Sequence, residues 1–154
     1  MPNFKGHLFG GLLFYGIVVF LFSLGKIAWS TQTYWLAATL AGALFPDIDI
    51  RSKGQHLYFK ILVLLLVLCL FLQAYIPVVM ILFFSLLPLI IPHRGLFHDL
   101  GFIAILCIFT DLVLIYLMPH KVHTIATTTV FFVVGVLSHL LLDKGFKKTF
   151  KKGS

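Results

Sequence analysis

In "SHLLLD", His139 and Asp143 stand four residues apart, so on a helix one side chain lies a turn above the other and both reach a common ion. Three further stretches carry the same chemistry: His7 near the start, Asp47 and Asp49 in "FPDID", and His93 and His98 in "HRGLFHD". Imidazole and carboxylate without thiolate suit zinc, manganese or iron. Pro46 disfavours helical geometry at Phe45, which leaves Asp47 and Asp49 on end-of-helix or non-helical backbone, with one carboxylate free to bridge two cations. His93 and His98 would lie about 140° apart on an unbroken helix. With Gly95 between them, His93 is expected on a turn and His98 in the first helical turn, converging through the bend. Four histidines and three aspartates exceed the needs of one tetrahedral ion and suffice for two or three.

The elements that must position these groups belong in a membrane. The chain is 60% hydrophobic and only 11% charged, with a mean hydropathy of +1.07. It repeatedly approaches the roughly 20 apolar residues a helix needs to cross a bilayer. Hydropathy and breakers mark six apolar segments, at about 7–24, 34–46, 57–75, 77–92, 97–118 and 124–143. The fold class expected is an all-α integral membrane protein, a bundle of about six transmembrane or partial helices. The second segment is short, and the fourth contains Pro88 and closes on Pro92, so four full spans with two partial helices is a variant of that expectation. Residues 1–143 then form one polytopic domain and 144–154 a basic tail. Lys5 ahead of the first run and "AWS" at 28–30 give the outline of a signal peptide, but the length of the run favours a retained helix.

Six crossings put Lys5, Arg51, Lys53, Arg94 and the tail lysines Lys144, Lys147, Lys148, Lys151 and Lys152 on one side, with Lys60 close by, against Lys26 and Lys121 on the other. The positive-inside rule makes that first side, with both termini, cytoplasmic. His7, the Asp47 and Asp49 turn, the "HRGLFHD" stretch and His139 to Asp143 all fall at that level. Ionisable groups at membrane depth are costly and usually face an interior site, so a shared metal centre explains the four stretches better than separate helix caps do. A net charge of +7 would admit nucleic acid, but the basic residues form neither a groove-reading helix nor an RNA-binding sheet. They read as membrane-flanking charges, and the tail as a contact for anionic lipid headgroups. Cys69 and Cys107 fall in apolar segments and read as small hydrophobes. His56, His120 and His123 read as interfacial, and Asp111 as either a bond to a neighbouring helix or a separate polar cavity.

An early histidine followed by "GALFPDID", "HRGLFHDL" and "GVLSHLLLD" resembles the YdjM-like family of membrane-bound metal-dependent hydrolases, some of them LexA-regulated. That family is in turn distantly similar to the all-helical zinc phospholipases C. The resemblance implies metal-ligand roles for His7, Asp47, Asp49, His93, His98, His139 and Asp143, and polar roles for Arg94 and Ser52. The chain departs from the family pattern at Asp99, where a small residue is usual; this acid could be a ligand, orient His98 or cap a helix.

Such a site suits phosphoester hydrolysis on a phospholipid or lipid phosphate entering sideways at the inner-membrane headgroup level. Arg94, with two donors, is the candidate phosphate contact, and Ser52 and Lys53 are candidate substrate neighbours. Asp49, Arg94 and Asp99 are the candidate catalytic groups. The alternative is a non-catalytic metal-binding membrane protein: a divalent-ion transporter, a sensor or an assembly factor. A third reading has the His and Asp groups merely satisfying one another by hydrogen bonds.

Overall fold

Five α-helices and three short 3-10 turns, with no strand among the described residues, make up the computed structural model. It describes residues 4–22, 27–48, 53–73, 75, 79–80, 82–83, 86–87 and 96–149, with the backbone alone at 53–54 and 144–149. Helix α1 is Phe4–Leu21, α2 Trp29–Leu44, α3 Lys53–Phe71, α4 Leu100–Leu117 and α5 Val122–Thr149. Three helical stretches are long and apolar enough to cross a membrane: Phe4–Leu21, Leu100–Leu117 and Pro119–Asp143. Five of the six expected segments thus coincide with a helix, and most of 77–92 lies outside the described residues. The count of six is therefore not reached among the described residues. Helix α2 begins earlier than hydropathy suggests, at Trp29, because "WSTQT" is polar yet helical. At 16 residues it is about 24 Å long, short of a hydrocarbon core of roughly 30 Å. Helix α5 runs without interruption through Asp143 into the basic stretch as far as Thr149.

Helices α2 and α5 form the centre of the bundle: they pack along each other, with α1 against both, α3 against α2 and α4 against α5. Apolar burial cannot drive this association, since lipid tails are as apolar as leucine; close packing and polar bonds must do so. Two glycines supply the close packing. A Cβ at Gly42 would run into the carbonyl oxygen of Phe132, and one at Gly135 into that of Thr39, so the backbones of α2 and α5 touch at this crossing. Polar and aromatic contacts fix its register. Trp35 stacks on Phe131 with centroids 4.7 Å apart, and its Nε1 donates to Thr127 Oγ1 at 3.3 Å. Tyr15 of α1 donates its hydroxyl to the Gln32 carbonyl at 3.1 Å.

Helix α4 joins through Thr129 Oγ1, which donates to Asp111 Oδ1 at 2.6 Å. Of the two expectations for Asp111, the bond to a neighbouring helix is the one observed. A core of Phe45, Ile48, Phe97, Ile103, Val136 and Leu140 closes the end of the bundle where the polar stretches gather. Outward faces of α1, α3 and α4 carry exposed Phe20, Phe71 and Ile105, as helices meeting lipid should.

Candidate metal centre

The end of α2 starts the site. Pro46 has no N–H to continue the helix, so the chain tightens into a 3-10 turn at Phe45–Asp47. This puts Asp47 on end-of-helix backbone as expected, but Phe45 keeps helical dihedrals (φ −59°, ψ −41°) although a proline follows it, because a 3-10 turn continues in the same region. The turn is pinned from α3, where Gln55 Nε2 donates to the Ile48 carbonyl at 2.8 Å. Asp47 is thereby directed at α5. A second 3-10 turn, Leu96–His98, delivers His98, and Phe97 anchors it by edge-on packing against Phe45 at 5.5 Å. His98 lies in this turn and not in the first turn of a helix, because Asp99 behind it is the N-cap of α4: its Oδ1 accepts from the Phe102 N–H at 2.9 Å. His139 and Asp143 come one turn apart from α5, and His7 from the first turn of α1.

These elements bring one ligand atom from each of Asp47, His98, His139 and Asp143 within 4.8 Å of one another, a group that could hold a metal ion. His139 Nε2 lies 3.6 Å from Asp47 Oδ1 and 3.4 Å from Asp143 Oδ2. His98 Nε2 lies 3.7 Å from each of the same two oxygens. These separations exceed the 2.7–3.2 Å of N–H···O hydrogen bonds. They match the edge of a coordination shell instead: two ligands about 2.0–2.1 Å from one tetrahedral zinc stand about 3.3–3.4 Å apart.

The histidine chemistry agrees. His139 Nδ1 is 2.7 Å from the Ala43 carbonyl, which can only accept, so Nδ1 carries the proton. In the neutral ring the lone pair then sits on Nε2, facing the carboxylates. Fully buried, that atom has no hydrogen-bond partner among the described residues. A buried polar atom left so costs about 1–3 kcal/mol, and a cation between it and the carboxylates would relieve it. The donor set therefore fits a divalent metal.

His7 extends the group. Its ring stacks on that of His139 with centroids 3.9 Å apart, and its Nε2 is 3.4 Å from Asp143 Oδ1. Asp143 thus turns Oδ2 to His98 and His139 and Oδ1 to His7, the disposition of a bridging carboxylate. The break at Pro46 leads one to expect that part for Asp47 or Asp49; Asp47 meets both His98 and His139 through Oδ1, and Asp49 lies outside the described residues. Exposure is graded across the site: the side chains of His7 and Asp143 are 3% and 11% accessible, against 27% for Asp47 and 25% for His98. The approach from outside is on the side of Asp47 and His98.

Of the remaining sequence candidates, Asp49, Ser52, His93 and Arg94 lie outside the described residues, and Lys53 is described by its backbone alone. Asp99 is exposed and engaged as a cap, apart from the four-residue group. Asp99→Ala is expected to cost about 1 kcal/mol of stability, the usual value of a cap, with metal content unchanged; Asp99→Asn should restore the loss. Thermal melts with parallel elemental analysis would check both. His56 is exposed, and His120 and His123 are exposed at the opposite end of α5 from His139. Sequence reasoning missed the Ala43 carbonyl and the Gly42–Gly135 crossing that brings it to His139. The signal was present: Gly42 lies just ahead of "FPD" and Gly135 four residues before His139, and small residues mark close helix contacts in membranes.

Helices and site together define an all-helical membrane protein with a His/Asp group able to hold a metal ion. The chain belongs to the YdjM inner membrane protein family, which matches residues 1–148. No curated protein and no solved structure matches it.

Proposed function

We propose that the protein is a metal-dependent hydrolase embedded in the inner membrane, cleaving the phosphoester of a phospholipid or lipid phosphate at the cytoplasmic headgroup level. The observation that carries this reading is the buried, unpartnered Nε2 of His139, held between two carboxylates at shell-edge distances. Asp47, His98, His139 and Asp143 would hold one divalent ion, zinc by the donor set, with manganese or iron as variants. His7, with Asp49 and His93, would complete positions for a second or third. Such ions acidify water and neutralise charge on a phosphoryl group. The chain's own groups do the rest. The Ala43 carbonyl fixes the tautomer of His139, and Asp143 divides its oxygens between His7 and the other two histidines. Arg94 would bind a phosphate oxygen through two donors, with Ser52 and Lys53 beside it and Asp49 as a base.

The charge asymmetry supports a site facing the cytoplasm, six crossings and both termini on that side. The basic stretch after Asp143 would attract anionic headgroups. Transport is not favoured, because Asp111, deep in α4, is taken up by Thr129. The test is turnover of phosphatidic acid, phosphatidylglycerol and isoprenoid phosphates by protein in nanodiscs. Release of phosphate or phosphorylated headgroup is expected with zinc or manganese and is expected to stop in chelator. No release from any of them by metal-loaded protein would refute the reading.

A further inference from the structure

An apolar cavity of about 260 Å³ opens between α2, α3, α4 and α5, lined by Ala38, Tyr58, Leu106, Leu114, Phe132 and, at one end, Phe45. Phe45 stands two residues before Asp47 and packs edge-on against both Phe97 and Phe132, so the residue that lines the cavity also braces the turn that carries Asp47. Along α5 the cavity begins at Phe132, about 10 Å from His139, and reaches Thr128, about 16 Å away. Its walls on α4 and α5 belong to the two most apolar of the candidate membrane spans.

We propose that this cavity holds one acyl chain of the phosphorylated lipid whose headgroup meets the metal group, an inference that rests on the hydrolase reading above. Three observations converge on an alkyl occupant. Its α4 and α5 walls belong to helices long and apolar enough to cross a membrane, within which alkyl chains would be the available solvent. Its threonines offer little to a polar guest: Thr128 donates to the Thr124 carbonyl at 2.7 Å and Thr129 to Asp111. Its lining includes Phe45, two residues before Asp47, whose side chain is among the more accessible of the site, so the glycerol ester linkage would lead from the metal group to the acyl chain past this turn. Thr110 is the exception, with a lining hydroxyl that has no partner among the described residues. That hydroxyl makes the test sharp, since an alkyl chain does not need it and a polar-headed guest would.

The experiment is photocrosslinking in nanodiscs with phosphatidic acid bearing a mid-chain diazirine, with the corresponding fatty acid as a second probe and metal content measured in parallel. The phosphatidic acid probe is expected to label residues 106–114 and 128–132 on their cavity side several-fold over lipid-facing Ile105 and Ile108. Thr110→Val should keep that labelling, and Ala38→Phe should reduce it about fivefold or more at unchanged metal content. Even labelling of cavity and lipid-facing residues, loss of labelling in Thr110→Val, or cavity labelling by the fatty acid alone would overturn the proposal. The two readings fail separately: even labelling by protein that turns over a lipid phosphate loses the pocket but not the hydrolase, and selective labelling by metal-loaded protein that turns over none does the reverse.

Discussion

His139→Ala is expected to weaken metal binding at least 100-fold, so that protein dialysed against buffered zinc holds only a trace. The size follows from position. Removing an outer-shell partner of a metal histidine already costs about 10–100-fold in affinity, and His139 supplies both a ligand atom and the link to the Ala43 carbonyl. Its Nε2 faces Asp47 and Asp143 at once, so the substitution strips the common neighbour of both carboxylates. Asp143→Asn, which preserves volume, should weaken binding comparably and removes any ambiguity from the cavity left by the alanine. Asp111→Asn, deep in α4 and bonded to Thr129, should leave metal content unchanged. Competition with a chelator of known affinity measures all three; retention of metal by both His139→Ala and Asp143→Asn would place the ion elsewhere.

Gly135→Val, or Gly42→Ala, should destabilise the fold by about 3 kcal/mol or more, the upper end for an overpacked core. At both positions the added carbon meets a backbone carbonyl of the facing helix, which cannot turn aside as a side chain can. Gly10 and Gly16 are the controls. A Cβ at Gly10 meets only the tip of Leu142, and one at Gly16 meets open space, so alanine there should be tolerated. The crossing also holds the Ala43 carbonyl against His139. Metal affinity should therefore fall along with the melting temperature in the Gly42 and Gly135 variants, whereas Gly10→Ala and Gly16→Ala should leave both near their starting values.

Much of this arrangement was legible in the sequence where a local rule decides it. Apolar length announced the spanning helices, Pro46 announced the break that frees Asp47, and the four-residue spacing of His139 and Asp143 gave their shared face. Relations set by tertiary packing were not legible. Nothing local tells that Asp143 rather than Asp47 splits its oxygens between two sets of histidines, because that depends on where α1 places His7. His98 was misplaced by a few residues because Asp99 serves as the cap and so starts α4 after the histidine. Asp99 itself had three open readings in sequence, and a single hydrogen bond to the Phe102 N–H selects capping. The short, polar start of α2 was hidden because hydropathy sees only the apolar part of a helix buried among others.

The metal centre is tested most directly by anomalous difference density from an experimental structure of the full chain in lipid, collected at the zinc, manganese and iron edges. A peak about 2.0–2.2 Å from His98 Nε2, His139 Nε2 and oxygens of Asp47 and Asp143 is expected. Protein shown to contain the metal but lacking density among these four side chains, or showing the peak at another place in the fold, would contradict it.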